Sequence, residues 1–283
     1  MTKRTRVFNI VISVLLCITV LWTAFISYAF IYVTKENEAL KRSQRFGLYV
    51  AGIDVNMGNA YDILGDGTVS YNEVSNKLTL NNATIHCEGA AIYSQIDLTI
   101  ELIGENKFIC GGEELTYALY ASDCSLRKDI AITGDGSLEI VIDDDTSRSN
   151  IGMIAEDVWL RADVSITVAD ATESSEGIVC NYLYLDEEKS LSVRTGSAKN
   201  AYGITARENI HVDEDSVVNV TGVAAENGYG IECGGNLTAK ENASIYSVSG
   251  AGKAGIVCYG AVLDYGAVID SEIEAVDGIL NIK

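Results

Sequence analysis

Trp159, Tyr184 and His211 stand 25 and 27 residues apart; Tyr182 precedes Tyr184 by two positions, and Arg161 and Asp213 lie two positions after Trp159 and His211. Residues of these types could bind a sugar. Aromatic faces cover the apolar side of a pyranose, while carboxylates, amides and guanidinium groups meet its hydroxyls. That chemistry needs all six on one rigid surface. Residues two apart share a face of a β-strand, so the set requires strands that return every 25 to 27 residues and lie over one another. Such a column has a second use, because cross-strand aromatic pairs stabilise a sheet by ~0.2 to 1 kcal/mol each with no ligand present. Both readings stay open at the level of the sequence.

Other chemistries have weaker carriers. Calcium needs several oxygens at once. Asp143-Asp144-Asp145 and Asp213-Glu214-Asp215 are the richest sources, but neighbouring strand residues point to opposite faces, so only a turn could converge them. The runs read as solvated charge, and no metal ligand is assigned. His86 and His211 come without an HExxH pair or a nucleophile elbow. A lyase of β-helix type would set a Lys or Arg base against calcium-binding carboxylates. Arg161, Arg194 and Arg207 fall on separate segments with no evident acidic cluster, so the chain reads as non-catalytic. Cysteines at 17, 87, 110, 124, 180, 233 and 258 form no CxxC pair and no zinc-like spacing. Six of them lie beyond the first apolar segment and could pair in an oxidising compartment, but the places that Cys180, Cys233 and Cys258 take in a sequence repeat favour buried free thiols.

The net charge of −20 argues against nucleic-acid binding and against docking on lipid through a basic patch. Hydrophobic residues make up 48% of the chain, enough for a substantial core. There is no proline, so strand ladders meet no missing donor, and turns rely on glycine and asparagine.

Residues 7–33 carry no charge, and a helix of ~20 such residues already crosses a bilayer. Lys3, Arg4 and Arg6 precede the run, which predicts a cytoplasmic tail over 1–6 and export of the rest of the chain, although Lys35, Lys41 and Arg42 weaken the asymmetry. The expected organisation is a single-pass anchor at 7–33, a charged stalk at 34–45 and an extracytoplasmic domain at 46–283. The alternative is a cleaved signal peptide ending near Ser27 and Ala29, for which the run is long against an h-region of about 7 to 15 residues.

The stacking that the six residues require is visible as a repeat. A small-apolar-x-small phrase starts at Ala91, Ala118, Gly152, Gly177, Gly203, Gly230 and Gly255, with an eighth expected at Gly278. Successive starts differ by 27, 34, 25, 26, 27, 25 and 23 residues. Each phrase leads into alternating stretches such as Leu183-Tyr184-Leu185 and Leu191-Ser192-Val193, and period two means strand. Three short strands per repeat, stacked at ~4.8 Å, predict an all-β parallel β-helix of about seven to eight rungs. Trp159, Tyr184 and His211 then form one outward column, preceded by Thr99 and continued by Thr238. Cys180, Cys233 and Cys258 share an inward slot with Ser94, Ala121, Ala155 and Ala206. The phrase-leading glycines suit a corner with positive φ or close backbone approach. Tyr117, Tyr202 and Tyr229 form a further aligned column.

Leu48-Tyr49-Val50-Ala51-Gly52-Ile53, the segment from Ile63 to Tyr71 (ILGDGTVSY) and that from Asn76 to Ile85 (NKLTLNNATI) precede rungs such as Asp97 to Asn106 (DLTIELIGEN). This opening resembles that of β-helical carbohydrate-binding-domain surface proteins of anaerobic Gram-positive, clostridial-type bacteria. The resemblance spans about Leu48 to Lys283 and implies a right-handed parallel β-helix, display on the cell surface and polysaccharide binding. It also raises calcium as a candidate ion, and it carries no catalytic residue across. The chain departs from the family pattern in lacking a sorting signal or added C-terminal module, and it ends within a rung. An open strand edge there is the basis of the rival expectation, a structural or adhesin-like solenoid that associates end to end. A pectate-lyase-like lyase is the third reading.

Overall fold

The computed structural model describes residues 3–124, 126–222, 226–250, 253–275 and 280–282. It divides into two units. The first carries one continuous helix, Lys3–Ser43 (α1), which also takes in most of the charged stretch expected as a stalk. Within it Ile18–Glu36 is long and apolar enough to cross a membrane, a property that a signal sequence shares.

The second unit is a β-solenoid of about seven turns. Each turn lays down three strand segments. The first face stacks Ile92–Ser94, Leu115–Ala121, Ser149–Ile154, Ser174–Cys180, Asn200–Ala206, Ile231–Cys233 and Ile256–Cys258 in parallel. The second and third faces share one long sheet, and in two turns a single strand, Ile130–Ile142 or Asp157–Val168, serves both.

The register is the one that the repeat dictates. Met153, Ile178, Ile204, Ile231 and Ile256 pair one above the next, all at most 1% exposed. The second face contributes Leu160, Leu185 and Val212, and the third Ile166, Val193 and Val220, so alternate residues of all three faces meet in one apolar column. Cys180, Cys233 and Cys258 fill the inward slot in register with Ala206, each 0% exposed. These thiols act as small core spacers. Burial pushes the Cys180 thiol up to about 12, which leaves it protonated and unreactive at neutral pH.

The phrase glycines answer to close approach and not to positive φ. A Cβ at Gly177 would strike Val193 of the third face and the carbonyl of Gly203 in the next turn, and Gly203 faces Val220 and Gly230 in the same way. The left-handed residues stand at a different corner. Glu188, Asp215, Asn242 and Gly266 have φ of 58°, 54°, 58° and 102° between the second and third faces. This explains the Asp213-Glu214-Asp215 run: Asp215 turns the chain, in a conformation that Asp and Asn tolerate better than most side chains.

Three details depart from the sequence reading. The opening is not parallel. Arg45–Val50 pairs antiparallel with Ile92–Ser94, and Val69–Asn72 pairs antiparallel with Lys77–Asn81, which blunts the first edge of the first and second faces, while Thr84–Glu88 on the third pairs in parallel with Glu105–Gly111. The long 34-residue interval accommodates a loop, closed by an antiparallel bridge between Ser122 and Arg127, and the Asp143-Asp144-Asp145 corner. The eighth first-face strand is Ile273–Ala275, reached only 17 residues after Ile256; Gly278 and Ile279 lie outside the described residues, and Leu280–Ile282 pairs on the second face with Val262–Asp264. The last turn is short because a tight Ser271-Glu272 corner replaces the longer connections above it.

Candidate functional site

The six predicted residues come together on the outer side of the second face. Trp159 pairs with Tyr184 and Tyr184 with His211, so the three form one column. The Trp159 and Tyr184 rings stack at 5.6 Å with 5° between planes, and His211 tilts by 42° at 6.3 Å from Tyr184. Tyr182 stands beside Tyr184 at 6.3 Å. Trp159, Tyr182, Tyr184 and His211 are all half-buried, and burial raises the Tyr184 hydroxyl above its ordinary value.

Polar groups flank the rings on both sides. Beyond them, Arg161 Nε lies 3.1 Å from Asp186 Oδ2, and Asp213 Oδ1 lies 3.9 Å from both His211 Nε2 and Lys240 Nζ. Arg161 and Asp186 are well exposed, so their ion pair adds little stability, ~0 to 1 kcal/mol, and leaves both groups accessible. On the near side runs a ladder of carboxylates and amides. The Asp129 N–H donates to Asp97 at 3.0 Å and the Asp157 N–H to Asp129 at 3.2 Å; lower down, Asn236 and Ala261 N–H groups donate to Asn209 at 2.7 Å and to Asn236 at 2.8 Å. Burial, and after it neighbouring negative charge, holds the Asp129 and Asp157 carboxyls above the usual carboxylate range. Asp157 Oδ1 is buried with no hydrogen-bond partner.

One residue of this surface escaped the sequence reading. Thr99 does not precede Trp159 directly, because Ala131 pairs with both and lies between them. The missed signal is Ile130-Ala131-Ile132, an alternating triplet placed after the loop that lengthens its repeat.

A second aromatic ladder was also missed. Tyr49, Tyr93 and Tyr120 stack on the first face at 5.5 Å per step, and Tyr117 closes on Tyr120 at 4.8 Å. It continues into Ile151, Ile154 and Val179, outward residues that are nevertheless only 8% exposed. The third position of each repeat phrase carried this signal. The expected column of Tyr117, Tyr202 and Tyr229 is interrupted: Ile151 and Glu176 separate Tyr117 from Tyr202, while Tyr202 and Tyr229 are neighbours at 6.2 Å.

The candidate catalytic and metal groups are dispersed. His86 lies on the third face in register with Ile109, away from His211 on the second. Asp144 accepts hydrogen bonds from the Thr146 N–H at 2.9 Å, the Thr146 hydroxyl at 2.6 Å and the Gly112 N–H at 3.3 Å, which ties it to its own corner. Among the described residues no group of three or more His, Cys, Asp or Glu side chains converges as metal ligands would. Comparison with family models, curated proteins and solved structures finds no match for this chain.

Proposed function

We propose that this protein is a non-catalytic polysaccharide-binding solenoid, held at a membrane by α1 with the solenoid on the outer side, and that glycan docks along the second face. The observation that carries the reading is the in-register column of Trp159, Tyr184 and His211 with accessible Asp, Asn and Arg groups on both sides. A β-sheet supports these groups on three consecutive turns, and sugar recognition needs such rigidity to limit the entropy lost on binding. The stretch of basic residues before the apolar run favours the outward orientation.

Binding to immobilised glycans tests the reading. The wild-type chain should retain at least one polysaccharide, and Trp159→Ala and Tyr184→Ala should each release it. Retention of every bound glycan by both variants would move the site elsewhere. A structural role is the alternative, favoured by one observation: antiparallel strands cap the first edge of the first and second faces, while Ile273–Ala275 and Leu280–Ile282 are the terminal described strands at the other end. Sedimentation that shows concentration-dependent chains of molecules, with no glycan retained, would favour that role.

A further inference from the structure

The aromatic ladder of the second face stops abruptly at Ala131. Below it, Trp159, Tyr184 and His211 occupy three successive turns; above it stands Thr99. Turns repeat at ~4.8 Å, so Thr99 and Trp159 are about 9.6 Å apart along the column, and one ring fits between them at ordinary stacking distance. One face of Trp159 is taken by Tyr184, in a near-parallel stack. The other is turned toward a methyl group. At the other end His211, tilted by 42° from Tyr184, is followed by Thr238, so Trp159 offers the larger and flatter of the two terminal planes to a ligand ring.

The walls of the gap define what enters. On one side stand Asp97, Asp129 and Asp157, with the partnerless Asp157 Oδ1 among them. On the other, Glu101 is bonded to Lys77 at 2.9 Å, and Arg161 to Asp186 at 3.1 Å. Lys128, whose charge also reaches Asp97 and Asp129, is bonded to Asp123 at 2.9 Å, so each of these three cations already has a carboxylate partner and the carboxylate ladder is in surplus. A uronate would meet repulsion here, whereas an ammonium on the sugar ring would meet three carboxylates.

We propose that the notch over Ala131 is a subsite for one pyranose of an amino-sugar polysaccharide, which extends the ladder by stacking on Trp159 and directs its ammonium toward Asp129 and Asp157. This rests on the proposed glycan-binding role of the second face and names its substrate class. The ring supplies apolar CH groups to Trp159, and the amine offsets a line of like charges that the fold holds one turn apart.

The full-length chain reports on this site directly once Trp22, the other tryptophan, is replaced by Phe, because Trp159 is then the sole indole. In a polyoxyethylene-ether detergent, which carries no sugar, its emission is titrated with a glucosamine hexamer, cellohexaose and a galacturonic acid hexamer. The glucosamine oligomer should shift the emission and bind about tenfold tighter than cellohexaose, and the galacturonate should not bind. Ala131→Tyr, which fills the notch with a ring, should weaken glucosamine binding by about tenfold or more, while Ala131→Ser, which leaves it open, should not. Asp129→Asn should reduce the preference for the amine. Calorimetry supplies affinities where a variant alters the emission. Equal affinity of Ala131→Tyr and wild type, or no advantage of the amine over cellohexaose, overturns the subsite. Glycan binding that responds to Trp159→Ala but not to Ala131→Tyr sinks the subsite alone, whereas binding indifferent to Trp159→Ala sinks the second-face reading itself.

Discussion

Two aromatic ladders rise along the solenoid, one on each of two faces, and similar stacking gives them different surroundings. The first-face ladder of Tyr49, Tyr93 and Tyr120 runs into Ile151, Ile154 and Val179, which are nearly buried although they point outward. The Ser122–Arg127 loop sits beside it, and desolvation lowers the Arg127 guanidinium below its usual value. The second-face ladder of Trp159, Tyr184 and His211 is flanked by exposed ions and a carboxylate column, and it ends against alanine. Stacked rings by themselves therefore do not mark a site. A column of aromatics closes on itself, face to face, and recognition depends on where the stack ends and on which polar groups border it.

The two ladders share one core, and the largest effect should come from breaking that core. Gly177→Val drives side-chain atoms into Val193 and the Gly203 backbone, and overpacking of this kind should cost about 3 kcal/mol and lower the melting temperature of the whole solenoid. Both ladders should be lost together; loss of one alone would show that the faces are held independently. Next in size, Tyr120→Ala removes the stacks with Tyr93 and Tyr117 and uncovers Ile154. It should destabilise by about 2 kcal/mol in denaturant titration yet leave glycan retention unchanged. Tyr184→Ala should do the reverse, with a stability loss of about 1 kcal/mol and release of glycan, checked by the same two measurements.

The smallest effect concerns pH. Burial and neighbouring charge raise the folded pKa of Asp129, so the folded chain holds that proton more tightly than the unfolded one. Its contribution favours the fold below the unfolded value near 3.8 and is lost as pH rises through the folded value. Asp129→Asn should accordingly raise the melting temperature at pH 7 by about 2 °C and leave it unchanged at about pH 3.

The coil was legible because stacking turns a sequence interval into a spatial neighbour. The phrases at Gly152 through Gly255, 25 to 27 residues apart, sufficed to place Ile178, Ile204 and Ile231 in one column and Trp159 over Tyr184. Legibility failed where the interval changed. The loop near Ser122 displaced Ile130-Ala131-Ile132 from its expected offset and hid the alanine turn, and the tight corner at Ser271 put the final phrase on the wrong face. The antiparallel opening was unreadable for another reason: alternation in Phe46 to Val50 assigns a strand but not its direction. The charge beside the second-face ladder was legible by the same stacking rule, because Arg161 and Asp186 stand 25 residues apart and so fall in neighbouring turns.

On the proposed function, glycan recognition belongs to the second-face ladder and stability to the first. The most direct test of this division is side-by-side glycan binding by Trp159→Ala and Tyr120→Ala, both verified as folded by their β-sheet circular dichroism. Trp159→Ala should lose the glycan and Tyr120→Ala should keep it. Retention by Trp159→Ala together with loss by Tyr120→Ala would contradict that division and move the binding surface to the other face.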